Sequence, residues 1–221
     1  MTLDNSGDWF EPGFNPGLFL WERAVSIEAL IKAASQWDKI PIDVEDHVMP
    51  EFLKFGIKDE IYFWADPKLN PGIVRGEIQH WEYPMKEDDP HPRRCADITY
   101  AAQIPHEWQR LVCCKELLHL LDPIETRVSR PEEIDKLVEK IILPSDLQDP
   151  FTDGIHALTD RVAVTYAAAI LFPLGARAIL LPHLGKKLSL PKIAEMAEIP
   201  LRYAHTVMSE IWPEIHDIMI A

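Results

Sequence analysis

Apolar positions along this chain follow two periods, and the change falls near Pro105. Ile27, Leu30, Ile31 and Ala34 recur at helical spacing and predict a helix over residues 26–37. Ile40-Pro41-Ile42-Asp43 ends it, and Asp43 is placed to cap a second short helix running through Val48. Strand-like segments follow. Residues 60–65 are β-branched and aromatic, residues 67–72 read as a turn, residues 73–83 alternate loosely, and residues 97–101 form a third candidate strand. Together they predict a small, mostly antiparallel sheet.

Beyond Pro105 the pattern turns helical. Residues 106–121 carry Trp108, Leu111, Val112, Leu118 and Leu121, and residues 131–142 read as a charged amphipathic helix with Pro131 in its first turn. A long helix, capped by Asp153 or Thr159 and ending before Pro173, is apolar nearly all round and so belongs at the centre of the core. Residues 190–197 and 201–208, separated by Ile199-Pro200, have the cadence of a helix-turn-helix pair. The reading is an α+β chain, mainly helical. It has an irregular, aromatic- and proline-rich arm over residues 1–23, a main domain over 24–180, and a helical subdomain over 181–221 packed on it.

Composition narrows the function classes. The chain has 221 residues, 47% of them hydrophobic, enough for one sizeable core. No apolar run approaches the roughly 18–20 residues of a membrane helix. The N-terminal residues Met1-Thr2-Leu3-Asp4-Asn5 are acidic and polar, so no secretory leader is expected. Three cysteines without metal-knuckle spacing fit a reducing, cytoplasmic setting. A net charge of −14 repels phosphate backbones. The tail from Leu181 onward carries four Lys or Arg against five Asp or Glu, and its second helix offers only Arg202 and His205 as polar readers. Specific nucleic-acid binding is therefore not expected, and a packing role fits the tail better.

The chemistry concentrates in Cys113-Cys114-Lys115-Glu116-Leu117-Leu118-His119-Leu120-Leu121-Asp122. A His-Glu-x-x-His helix sets two imidazoles one turn apart on a zinc ion, with the Glu polarising the bound water. Here Glu116 and His119 hold two of those positions, and Lys115 stands in place of the first His. Taken alone, a Glu and a His three apart are more often a solvated pair. A zinc site also needs a third ligand. Asp160, at the predicted start of the buried helix, is either that ligand or a first-turn dipole partner, and the second role is the commoner. Lys115 and His119, four apart, share a face, and Asp122 lies near it. A lysine ammonium cannot ligate zinc. It can sit in the metal's place and gather Glu116, Asp160 or Asp122 around it, or it can snorkel to solvent. Cys113 and Cys114 read as small buried hydrophobes. The other histidines show no ligand spacing, and only His156, just before the buried helix, is near enough to merit attention.

In this order, these segments resemble the ImmA/IrrE family of bacterial and phage metallopeptidase-like proteins. Ile40-Pro41-Ile42-Asp43-Val44 looks like that family's Pro-x-Asp step after its first helix. Ile104-Pro105 through Gln109-Arg110-Leu111 and on to Leu121 looks like the strand, the Arg-containing lead-in and the His-Glu-Leu-x-His helix. Asp160 through Pro173 looks like the third-ligand helix, and residues 188–208 look like the helical pair that follows. The resemblance spans roughly residues 24–210 and implies a zincin-like fold. It also implies Glu116 as catalytic base, His119 and Asp160 as zinc ligands, and cleavage of repressor-type regulators. The sequence departs from the pattern at Lys115, at Asp160 (shorter than the usual Glu) and at Val164, where the family often has Asn. The leading expectation is a degenerate, metal-free member acting by contact with an unidentified protein partner, with Lys115 as the metal-replacing cation. An active zinc peptidase using a substitute ligand comes second. A DNA-binding regulator using the C-terminal pair comes third.

Overall fold

The structure, a computed structural model, describes residues 2–3, 9–10, 16–84, 93–122 and 154–221; for residues 2–3, 9–10, 16–23, 154–159 and 161 it describes the backbone alone. The predicted helix over 131–142 and the cap candidate Asp153 lie outside the described residues.

The arm is more regular than its composition suggests. Strands β1 (Thr2–Leu3) and β2 (Trp9–Phe10) pair antiparallel, and helix α1 starts at Pro16 and runs to Ala34, well ahead of the predicted start. Proline is tolerated at a first helical position because its missing N–H has no partner there anyway, and no further proline interrupts the chain before Pro41. At the other end the Ser35 hydroxyl donates to the Ile31 carbonyl at 2.7 Å, and the chain turns. Asp43 caps the next element as its sequence implies, accepting from the Asp46 N–H at 2.8 Å. That element opens as a π turn (Val44–Val48) and continues beyond the expected stop as α2 (Met49–Lys54).

Three strands follow: β3 (Glu60–Asp66), β4 (Gly76–Tyr83) and β5 (Arg93–Ala101), in the spatial order β3-β5-β4. β4 and β5 are antiparallel, but β3 runs parallel to β5. The sheet is therefore mixed, which corrects the antiparallel expectation. Residue alternation tells which side chains share a face. It carries no information on which strand inserts between two others, and here β5 enters between β3 and β4.

Helix α3 (His106–Leu117) lies against β4 and β5 and packs on α4 (Gly154–Leu171), which also packs on α1. The helical segment predicted to reach Leu121 tightens into a 3-10 turn over Leu118–Leu121. Beyond α4 come α5 (Leu174–Leu180), α6 (Leu190–Ala197), α7 (Leu201–Met208) and α8 (Trp212–Met219). Ile193, Ala197, Val207 and Trp212 from these elements belong to the same hydrophobic cluster as Leu30, Ile98, Leu117 and Ile170, so the C-terminal helices share the main core. Arg177 of α5 ties them in, donating from Nε to the Val207 carbonyl (2.8 Å) and from Nη2 to the Ser209 carbonyl (2.9 Å) at the end of α7.

Candidate functional site

Helix α3 delivers Lys115 and Glu116 from its last turn, and the 3-10 turn delivers His119. A 3-10 turn advances each residue by about 120° instead of about 100°. His119 nevertheless shares a face with Lys115, and both reach Asp160. Asp160 comes from the second turn of α4, because that helix begins at Gly154. This corrects the placement of Asp160 at a helix start, and it removes Thr159 as a cap. With the dipole role gone, the Asp160 side chain reaches across to α3.

Lys115 and His119 meet at one carboxylate oxygen of Asp160, and Glu116 joins the group through Lys115. Lys115 Nζ is ion-paired with Asp160 Oδ1 and donates to Glu116 Oε1 at 2.8 Å. His119 Nε2 faces the same Asp160 oxygen at 3.6 Å, and its Nδ1 is hydrogen-bonded to Asp122 Oδ2 at 2.9 Å. Glu116 is buried, and the Lys115 side chain is only 17% exposed, so it does not snorkel to solvent. Asp122 pairs with His119 rather than with Lys115.

Burial works against both cations of this cluster, and the neighbouring carboxylates outweigh it. For Lys115 the charges of Glu116 and Asp160 exceed the cost of desolvation and leave the ammonium more basic than usual. For His119 desolvation is outweighed by the Asp122 charge and hydrogen bond and then by the hydrogen bond to Asp160, which lifts the imidazole to about 9. Asp160 feels the reverse. Desolvation would raise it, but Lys115 and then His119 hold it below the usual carboxylate range. At neutral pH the site thus contains an ammonium and an imidazolium.

These residues do not fit a zinc ion. Zinc requires neutral imidazole nitrogens or anionic ligands with open lone pairs. Lys115 supplies an ammonium, which has no lone pair to give, and it lies against both Asp160 and Glu116, the acids a metal would need. Among the described residues no three His, Cys, Asp or Glu side chains are disposed to hold a metal. The backbone of His156 lies in α4, but its side chain is outside the described atoms. Cys113 and Cys114 are buried, and burial first, then the charge of Glu116, pushes the Cys113 thiol up to about 12. Burial also raises Cys114, so neither is a thiolate at neutral pH.

Three features of the surroundings were not placed by the sequence. Gly76, at the start of β4, sits against the site: a Cβ there would meet Val112 Cγ1 at 2.2 Å and Glu116 Oε1 at 3.4 Å. Arg110, one turn before Cys114, is ion-paired with Glu198 and donates to the Ile42 carbonyl, which fastens α3 to both the first loop and the α6–α7 turn. Glu198 is also the described non-glycine residue with positive φ (50°), a left-handed conformation that costs roughly 1 kcal/mol or more. Finally, the Trp108 ring is contacted by two guanidiniums, Arg75 at 4.3 Å and Arg202 at 4.5 Å, and Arg202 also stacks on Tyr203 at 4.5 Å. Only the polar pattern of α7 marked Arg202, and it suggested a base reader rather than a stacking partner.

Comparison of the chain with family models, with curated proteins and with solved structures gave no match.

Proposed function

We propose that this protein is a metal-free, non-hydrolytic relative of the ImmA/IrrE peptidases that acts by protein–protein contact in the cytoplasm. The observation that carries this reading is the position of Lys115 Nζ between Asp160 and Glu116, with His119 on the same Asp160 oxygen. Two positive charges, an ammonium and an imidazolium, stand where the His-Glu-x-x-His outline calls for one divalent cation. They balance carboxylates that a vacated metal site would leave repelling one another. Glu116 Oε1 in this arrangement accepts from the Lys115 ammonium. General-base hydrolysis needs that carboxylate free to accept from a water. The cluster is therefore a structural substitute for a metal centre, and the activity left to the fold is recognition.

Elemental analysis of protein purified without chelator tests this directly. The expected result is far less than one zinc per chain. Lys115→His, which removes the competing cation and adds a ligand, is expected to take up zinc if the remaining geometry is that of a former metal site. About one zinc per native chain, lost in His119→Ala, would establish an active-site metal instead and with it the peptidase reading.

A further inference from the structure

The face of the sheet turned away from α3 carries an ordered aromatic layer. Ile61, Phe63, Ile78, Ile98 and Tyr100 point into the core. The alternate positions place Tyr62 and Trp64 of β3, Trp81 and Tyr83 of β4, and Asp97 of central β5 on the other side. Tyr62, Trp64 and Trp81 are 41%, 55% and 42% exposed, and they are the exposed large aromatics among the described residues.

Two carboxylates hold this layer in place from beneath. Asp97 accepts from Trp64 Nε1 through Oδ1 (3.1 Å) and from Trp81 Nε1 through Oδ2 (2.9 Å), so one side chain of the central strand pins an indole on each edge strand. Glu60 does the same for the phenols. Its Oε2 accepts from Tyr62 (2.9 Å) and Tyr83 (3.3 Å), and its Oε1 accepts from Arg93 (2.7 Å). Tyr62 stacks on Trp64 with ring centroids 6.4 Å apart, and Trp81 packs on Tyr83 at 5.4 Å. Every indole N–H and phenol O–H of the layer is thus taken up by a carboxylate. What remains outward is π surface backed by negative charge.

We infer that this face is a docking surface for an arginine-bearing segment of a protein partner. The argument is charge complementarity joined to ring chemistry. Among the described strand residues the face carries Glu60, Asp66, Glu77 and Asp97 against Arg93, and the whole chain has a net charge of −14. A planar guanidinium stacks on an indole and gains from carboxylates behind the ring. A phosphate-bearing ligand is repelled by the same charges. The donors a sugar or a base would bond to are already engaged. Because the layer is held by hydrogen bonds before any partner arrives, little ordering cost remains at binding. The inference rests on the protein-contact reading only in naming the partner's chemistry, and it is independent of whether the Lys115 cluster excludes metal.

The test is calorimetric titration of the full chain with octa-arginine, octa-lysine and octa-glutamate peptides. Octa-arginine is expected to bind more tightly than octa-lysine, and octa-glutamate not at all. The double variant Trp64→Ala/Trp81→Ala, whose net charge is unchanged, is expected to lose roughly tenfold in affinity for octa-arginine. Trp64→Phe/Trp81→Phe keeps the rings and is expected to retain most of the binding, which separates stacking from loss of fold. Equal octa-arginine affinity in the native chain and the alanine variant would reduce the effect to bulk charge and overturn the inference. So would binding of octa-glutamate. A native dimer converted to monomer by the alanine variant, with peptide binding unchanged, would assign the face to a second copy of the chain instead.

Discussion

Lys115 and Asp160 sit on different helices, α3 and α4, and their ion pair joins the two helices at the buried end of the site. The carboxylate oxygen that receives the ammonium is also the one facing His119. One acid from α4 therefore organises both cations of α3 and its 3-10 extension. This pair is a structural contact as much as a chemical one, and its removal tests the site without any assumption about activity.

Replacing Lys115 by Met leaves Glu116 and Asp160 in a protein interior without their cation. The expected loss of stability is about 3 kcal/mol, the range for removing one partner of a buried pair and well above a surface change. Asp160→Asn is expected to cost a similar amount. The double variant should cost less than the sum of the two, with a coupling of roughly 1–3 kcal/mol. Denaturant midpoints of the four proteins measure this, and strict additivity would mean that the pair carries no energy.

The pH dependence follows from His119. Its folded value of about 9 lies above the ordinary 6.5. Its contribution is fully present below pH 6.5 and is lost as pH rises from 6.5 toward 9. The expected size is on the order of 3 kcal/mol across that window. His216, buried beside the Ser35 hydroxyl at 3.0 Å and made less basic by burial, acts on the other side of 6.5, where acidification erodes stability. Melting temperature should therefore fall between pH 6.5 and 8.5 in the native chain, and the fall should be flattened in His119→Gln. An unchanged slope in that variant would show that the imidazole is neutral in the fold.

Gly76 lets β4 lie directly on α3 at the site. Gly76→Ala forces a methyl group onto Val112 Cγ1 and toward the Thr99 carbonyl, 3.1 Å from the new Cβ. Such overpacking typically costs about 1–3 kcal/mol. Val112→Ala in the same chain is expected to recover part of that loss, since the methyl it removes is the nearest obstacle. If Gly76→Ala melts like the native protein, β4 does not press on the helix as described.

The C-terminal pair is expected not to bind duplex DNA specifically. Arg202 is spent on the rings of Trp108 and Tyr203, and the surrounding tail is slightly acidic. Phosphate contacts supply most of the affinity of helical DNA readers. A salt-titrated binding assay over a randomised duplex pool checks this. Sub-micromolar affinity for one sequence, lost in Arg202→Ala, would reverse the conclusion.

Periodicity and capping chemistry in the chain were enough to place α3, α6, α7, the Asp43 cap and the three strands, because those signals are local. They depend on side chains a few residues apart and on backbone groups that must find partners nearby. The same local logic marked Lys115, Glu116 and His119, and the family resemblance added Asp160 to them. It could not choose between Asp153 and Thr159 as the start of α4, and the observed start at Gly154 puts Asp160 in the second turn; nor could it say that the helix tightens at Leu118. It also missed the parallel pairing of β3 with β5 and the two indoles gathered on Asp97. These contacts join residues far apart in sequence, and each is settled by which surfaces bury the most apolar area together while leaving no charge alone. The residue types were written in the chain. Their partners were decided only when the helices and the sheet closed on one core.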